Sequence, residues 1–317
     1  MHTFQLLRMS FALIAALTVI GSAQSAVPFV LPWDDSSPGI ADFSPLNAPI
    51  GPNARVTVDA NGHFVVGRNR IRFLGMNFAG QLPFTPTNKT EAVAARLAKF
   101  GINCVRFHHM DAPWAQGGGI LAYTNATSTN INPAQLEKLH YTVARLKEHG
   151  IYSDINLLVG RQYRSRDGLG SPVATMDWKD THVLGYFNDT ALALQKDYAR
   201  KVLTPINRFT GLPLAKDPAV AFVEVINENG IIQKWLDGGI DRLPASYAAQ
   251  LGSKWNDWLA SRYTNDAALL GAWRAIDRPL GPNLLKNGAF SNALSNWTTE
   301  QHFSARAVSS RTFDFID

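Results

Sequence analysis

The chain has 317 residues, of which 46% are hydrophobic and 17% charged, a composition typical of a globular protein with one large domain or two smaller ones. The formal net charge is +5, but the Lys and Arg residues are scattered along the chain. A nucleic-acid-binding surface requires basic residues clustered on one face, so this pattern argues against a nucleic-acid partner. The single cysteine, Cys104, excludes an intrachain disulfide and is expected to be a small buried apolar residue.

The first residues have the pattern of a secretory signal peptide. Arg8 precedes an apolar run, Phe11–Ile20, and small residues follow as far as Ala26. The apolar run is too short to span a bilayer comfortably. We therefore expect residues 1–26 to be a signal peptide, the protein to be secreted (extracellular or periplasmic), and the mature form to have no membrane segment.

Residues 27–54 are rich in Pro, Ser, Asp and Asn and are expected to form a leader across the domain surface. Two short alternating runs follow, Arg55–Asp59 and His63–Val66. They are separated by Ala60, Asn61 and Gly62, and Asn-Gly between such runs predicts a β-hairpin.

After the hairpin, strand and helix patterns alternate four times. The predicted strands are Ile71–Phe78, Ile102–Phe107, Ile151–Leu158 and Val220–Ile226. The predicted helices are Glu91–Phe100, Pro133–His149, Asp189–Phe209 and Ser246–Tyr263. Such repeats build a parallel sheet covered by helices, as a (β/α)8 barrel or an open doubly wound sheet. No glycine-rich phosphate loop follows the first strand, which favours the barrel.

The prediction is therefore an α/β fold, a (β/α)8 TIM barrel of which residues 55–280 supply the first four βα units. From Gly281 the sequence becomes turn-rich, with Leu284, Leu285, Phe290 and Trp297 between the turns. We expect residues 281–317 to be the start of an incomplete β-sandwich module. A half barrel would expose sheet edges, so we also expect the sequence to be a fragment or a truncated gene product.

The strongest chemical signal is Asn227-Glu228, which follows the apolar strand Val220–Ile226 directly. The carboxyl end of a barrel strand lies on the catalytic face, so Glu228 is a candidate catalytic residue and Asn227 a candidate ligand of a sugar hydroxyl. Asn-Glu is also a common pair at helix caps. The position of the pair at the strand end favours the catalytic interpretation.

Arg106, His108 and His109 lie at the end of the second predicted strand. An Arg that emerges from an apolar strand needs an anionic partner, because an unpaired buried charge is costly. The histidines are candidate substrate ligands. They are poor joint metal ligands, because neighbours on a strand point in opposite directions.

Long segments, 109–131 and 159–188, follow the second and third strands, where barrels hold their active sites. They contain five aromatic residues suited to the apolar faces of sugar rings or to anchoring the loops: Trp114, Tyr123, Tyr163, Trp178 and Tyr186.

Four strand motifs in this order resemble glycoside hydrolase family five of the cellulase-like clan, over roughly residues 55–280. The motifs are Arg70–Phe78, Gly101–Arg106, Gly150–Asn156 and Asn227-Glu228. The resemblance implies a retaining (β/α)8 glycosidase without a cofactor or metal, acting on a polysaccharide or oligosaccharide. It implies that Glu228 is the acid/base, that Asn227 contacts the sugar, and that Arg106 supports a nucleophile Glu on a seventh strand. The segment from Asn283 resembles the start of a carbohydrate-binding β-sandwich.

Two other hypotheses stay open. A degenerate barrel joined to a sugar-binding module would be a non-catalytic carbohydrate-binding protein, and a protein without a nucleophile Glu downstream would favour that alternative. A different secreted barrel enzyme, such as a metal-dependent hydrolase, would require a bound ion.

Overall fold

The computed structural model describes residues 32, 34–115, 118–124, 126–276, 282, 284–288 and 290–298. The chain divides into two compact units, Met1–Leu251 and Gly252–Asp317, which are described separately. The predicted signal peptide lies outside the described residues. Within the described ranges, no helix is long and apolar enough to cross a membrane.

The strands among the described residues lie in the first unit: β1 (Val56–Val58), β2 (Phe64–Val66), β3 (Asn69–Arg70), β4 (Gly75–Phe78), β5 (Cys104–Phe107), β6 (Leu121–Ala122), β7 (Asn130–Ile131), β8 (Tyr152–Leu158), β9 (Ile206–Asn207), β10 (Leu212–Pro213) and β11 (Val220–Ile226). The helices are α1 (Thr87–Lys99), α2 (Pro133–Glu148), α3 (Asp189–Leu203), α4 (Ile231–Leu236), α5 (Ala245–Arg262) and α6 (Asp266–Ile276).

The predicted hairpin is confirmed. β1 pairs antiparallel with β2, and β3 adds to β2 as a third strand. Gly62 closes the turn with a φ of 78°, in the left-handed region that glycine adopts at little cost. The predicted strand Ile71–Phe78 is right only in its second half. The Ile71 N–H still donates to the Phe64 carbonyl (2.9 Å), so this residue belongs to the hairpin and β4 begins at Gly75.

A four-stranded parallel sheet in the order β4-β5-β8-β11 forms the centre of the first unit. A helix follows each of these strands along the chain, so the predicted α/β architecture with a parallel sheet is confirmed. β4 and β11 are the edge strands of this sheet within the described part of the chain. A closed eight-stranded barrel therefore stays a prediction.

Local sequence signals set the helix ends. The Asn132 side chain caps α2 by accepting from the N–H groups of Ala134 and Gln135, and the Asn188 side chain caps α3 by accepting from Ala191. The prediction that α3 reaches Phe209 is wrong, because the helix ends at Leu203. Pro205 explains the difference: proline has no N–H to continue the helix, and in a continuing helix its ring would clash with the carbonyl four residues earlier.

The two faces of the sheet have different environments. The helix-covered face buries an apolar core that includes Val105, Phe107, Ile155, Leu139 and Val143. On the opposite face, at the amino ends of the strands, four rings make edge-to-face contacts at centroid distances of 5.1–5.9 Å: Phe64, Phe73, Tyr152 and Phe222. Aromatic packing closes that end of the sheet. The carboxyl ends carry polar side chains instead.

The second unit contains α5 from Gly252 onward and α6. Trp255 and Trp258, both on α5, stack on each other with ring centroids 5.1 Å apart. Of the predicted β-sandwich, 281–317, the structure describes residues 282, 284–288 and 290–298. These form turns, in which Phe290 stacks on Trp297 at 5.0 Å. The sandwich stays a prediction.

Candidate active site

Strand alternation places four polar residues on the face opposite the helix-covered core. Arg106 on β5 pairs in register with Asp154 on β8, and Asn156 on β8 pairs with Glu224 on β11. Residues two apart on a strand share a face, so all four side chains point to the same side of the sheet. They lie near the carboxyl edge, next to the segments that follow β5 and β11.

Arg106 is the centre of this polar group. Its Nε donates to Glu224 Oε2 at 2.6 Å, and its Nη2 donates to Asn227 Oδ1 at 2.9 Å. The Asn156 amide also donates to Glu224 Oε2. The predicted anionic partner of Arg106 is thus Glu224 among the described residues. Glu224 was not among the residues predicted from the sequence, although a lone Glu within the apolar run of β11 carries the same signal as Arg106 within β5.

Glu228 follows Asn227 in a backbone conformation with a φ of 46°, which is uncommon for a residue other than glycine. Its side chain is 76% exposed. The nearest cation is Lys179, whose Nζ lies 4.0 Å from Glu228 Oε2 and donates to the Asn227 carbonyl at 3.4 Å. Glu228 is therefore an accessible carboxylate at the carboxyl edge of the sheet.

His108 and His109 do not point in opposite directions, contrary to the prediction. Their ring centroids lie 3.9 Å apart, because His109 has a φ of 62° and the chain has left the extended conformation. Burial, together with His109 and Arg106, lowers the pKa of His108 to about 4. Burial and the Lys179 charge lower the pKa of His109. Both rings are thus favoured in the neutral form at pH 7.

A hydrogen bond from Asn156 decides which ring nitrogen of the neutral His108 carries the proton. Asn156 Nδ2 lies 3.3 Å from His108 Nδ1, and an amide nitrogen can only donate. The Nδ1 atom accepts in this contact, so the proton of the neutral ring is assigned to Nε2. No group of three His, Cys, Asp or Glu side chains suited to a metal ion occurs among the described residues.

Three rings extend from the histidine pair across the loops and form what we call the aromatic strip: His109, Trp114 and Trp178. The His109 and Trp114 centroids are 6.2 Å apart, and those of Trp114 and Trp178 are 4.8 Å apart. Trp114 is 46% exposed. Gly160 permits this position, because a Cβ there would lie 2.8 Å from Trp114 Cη2. Lys179 Nζ lies 5.7 Å from the Trp178 ring centroid and 4.0 Å from Glu228 Oε2, so Lys179 links the strip to Glu228.

The remaining loop aromatics are anchors. Tyr123 donates to the Asp111 carbonyl at 2.7 Å, Tyr163 is buried, and Tyr186 donates to the Asn229 carbonyl. The Asp111 carboxylate is fully buried and accepts from three consecutive N–H groups, those of residues 159–161, at 2.8–3.0 Å. Burial raises the pKa of Asp111 to about 6, although these hydrogen bonds oppose the rise. Asp111 thereby ties the loop after β5 to the loop after β8.

The structure thus brings the predicted residues into one neighbourhood. Arg106 contacts Asn227 directly. His108 joins through Asn156, His109 lies against His108, and Glu228 lies beside Asn227. Four further residues of this neighbourhood were not predicted from the sequence: Asp154, Asn156, Lys179 and Glu224. Cys104 is buried as predicted, and its burial raises the pKa of the thiol to about 12.

No protein-family model and no curated protein matches the chain. Among solved structures, it is similar to an endo-1,4-beta-mannanase from Rhizomucor miehei at 19% identity and a TM-score of 0.43, over 55% of this chain and 48% of that chain. A variant of a glycoside hydrolase family 5 mannosidase from the same organism, in complex with mannosyl-fructose, has 16% identity and a TM-score of 0.44, over 60% and 54% of the two chains. An endo-beta-1,4-mannanase from Thermotoga petrophila has 20% identity and a TM-score of 0.37, over 56% and 40%.

The chain therefore spans about half the length of the first two of these structures. With TM-scores below 0.5, the likenesses carry no argument for this chain's activity or substrate. The geometry of its own site has to carry the functional proposal.

Proposed function

We propose that this chain supplies the acid/base part of the active site of a secreted retaining glycosidase that cleaves a β-linked polysaccharide or glycoside. One observation carries the proposal. The accessible Glu228 carboxylate stands at the carboxyl edge of a parallel sheet, beside an Asn227 amide that Arg106 holds in place.

The chemistry requires a carboxyl group that gives a proton to the departing glycosidic oxygen and then takes one from water. Glu228 is open to a substrate and fits this role. Because Asn227 Oδ1 accepts from Arg106, the amide NH2 of Asn227 is left to donate to a sugar hydroxyl. His108 Nε2–H and the faces of the aromatic strip supply further contacts to the sugar.

A retaining enzyme also needs a nucleophilic carboxylate about 5–5.5 Å from the acid/base. Glu224 is engaged by Arg106 and Asn156, so we assign it to positioning. We propose that a carboxylate from further strands of the barrel is the nucleophile. β11 is an edge strand of the sheet within the described part of the chain, and its helix-side residues Val223 and Val225 are 40% and 64% exposed, so both features support the addition of further strands and their helices.

The test replaces Glu228 by Gln in the full protein that the gene encodes, with β-linked glycosides of good and poor leaving groups as substrates. We expect turnover of the poor leaving group to fall at least about a hundredfold, because general acid catalysis contributes about 10²–10⁴. Turnover of the substrate with the good leaving group should fall less, because that group needs less protonation to depart. The control is Glu91→Gln, an exposed carboxylate on α1 that contacts His149. Unchanged turnover in Glu228→Gln would refute the assignment.

A non-catalytic carbohydrate-binding protein is the second candidate. The exposed Trp114 of the aromatic strip favours it, since an indole face can hold a sugar ring without any chemistry. If the unmodified full protein binds β-linked oligosaccharides and Trp114→Ala weakens that binding, while no glycoside is turned over, this second function replaces the first.

A further inference from the structure

A cavity of about 210 Å³ lies in the loop after β8, at the end of the aromatic strip. Trp178 belongs to both the strip and the cavity wall. Other wall residues are Gln162, Arg164, Ser165, Val173 and Met176. The volume is of the order of one sugar ring. We call this cavity the side pocket.

The wall of the side pocket combines apolar and polar groups. Val173 and Met176 provide apolar surface, and Trp178 provides an aromatic ring. The Gln162 amide and the Ser165 hydroxyl have no hydrogen-bond partner among the described residues. An aromatic ring beside unused amide and hydroxyl groups suits a sugar, which has apolar faces and a rim of hydroxyls.

Arg164 sets the charge of the side pocket. Its guanidinium lies over the Tyr123 ring at 5.4 Å. Its Nε is buried without a hydrogen-bond partner. No carboxylate of the described residues lies within 4.0 Å of it as an ion pair. Asp167, three residues on, is engaged elsewhere, because its oxygens accept from Thr127, Ser128 and the Arg164 backbone N–H.

A partly buried guanidinium without an anion is an unfavourable arrangement that a ligand can complete. Its planar fork of N–H donors matches a carboxylate, which it can bind through two parallel hydrogen bonds. We propose that the side pocket binds a uronate unit of the glycan, with its carboxylate on Arg164 and its ring against Trp178. The uronate would be one unit of the substrate of the proposed glycosidase, so this inference rests on the proposed function.

The experiment measures binding, so that its outcome is separable from turnover. The full protein carrying Glu228→Gln is titrated by calorimetry with two β-linked oligosaccharides that differ only in one unit, glucuronate or glucose. We expect the glucuronate compound to bind at least about tenfold more tightly, since hydrogen bonds to charged groups are strong. The preference should decrease as the salt concentration rises.

Arg164→Gln should remove this preference, and its unfolding temperature shows that the variant is folded. Arg164→Lys, which keeps the charge but not the fork, should give an intermediate preference. Arg166→Gln is the matched control, because Arg166 is exposed and does not line the side pocket. Trp178→Ala should weaken binding of both compounds.

Equal binding of the two compounds by the starting protein would overturn the inference, as would an unchanged preference in Arg164→Gln. Binding of inorganic phosphate as tight as that of the glucuronate compound, and insensitive to Trp178→Ala, would also overturn it, since the site would then be a general anion site. If glucuronate binding depends on Arg164 but no glycoside is turned over, the proposed function fails and the side pocket stands. If turnover depends on Glu228 but the preference is absent, only the side pocket fails.

Discussion

Replacement of Asp154 by Asn should make the protein more stable at alkaline pH and leave it unchanged at acidic pH. Asp154 lies on β8, in register with Arg106, and its Oδ1 is buried without a hydrogen-bond partner. Burial and the neighbouring Glu224 charge raise the pKa of Asp154 to about 6, and the Arg106 charge only partly opposes the rise. The folded protein therefore holds this proton more tightly than the unfolded chain does.

The sign and size of the effect follow from that difference. Well below pH 3.8 the carboxyl group is protonated in both states and contributes nothing. Between pH 4 and pH 6 the unfolded chain loses the proton first, so the free energy of unfolding decreases as the pH rises. A pKa of about 6 instead of 3.8 lowers the free energy of unfolding by about 3 kcal/mol above pH 6. We expect Asp154→Asn to be stabilised by only about 2 kcal/mol, because Asp154 is only partly buried and solvent screens its charge.

The assay is urea unfolding of the protein and of Asp154→Asn at pH 4, 6 and 8. The quantity to compare is the difference between the two proteins in the free energy of unfolding. This difference removes the contributions of His108 and His182, which titrate in the same pH range. Burial lowers the pKa of each to about 4, so their contribution to stability rises between pH 4 and pH 6.5 and opposes that of Asp154. Asp241→Asn, at an exposed position, is the control. A difference that does not change with pH, or a less stable variant at pH 8, would refute the reasoning.

Two further predictions concern the positioning of the site. Glu224→Gln keeps the shape but removes the charge that holds Arg106, so the Asn227 amide should lose its fixed orientation. We expect kcat/KM of the full protein to fall about tenfold to a hundredfold, with the unfolding temperature as a check on folding; an unchanged kcat/KM would contradict the positioning role. Gly160→Ala places a Cβ 2.7 Å from Ala112 Cβ and 2.8 Å from Trp114 Cη2, so the segment that carries both residues should shift and take the indole with it. A change in Trp fluorescence and at least about a fivefold loss of oligosaccharide affinity would show this shift. A change in fluorescence with unchanged affinity would mean that the strip does not bind the sugar.

The amino-acid sequence by itself determined the local elements, because their signals are short-range. Asn61-Gly62 placed the hairpin turn, and the apolar run Val220–Ile226 became β11 with the same bounds. Alternation of strand and helix was enough to predict the parallel sheet. The predicted end of α3 was wrong because a single nearby residue, Pro205, ends the helix earlier.

The candidate site was predictable only as a set of residues, and not as an arrangement. Arg106 signalled an anionic partner, but Glu224 lies 118 positions away, and only the order of the sheet and its register bring the two together. The close contact of His108 with His109 depends on a left-handed backbone at His109, which a strand pattern does not reveal. Lys179 and Trp178 reach the site because the buried Asp111 and the packing of the loop after β8 hold that loop across the carboxyl edge. Long-range pairing and backbone turns decide these contacts, and both are properties of the folded chain.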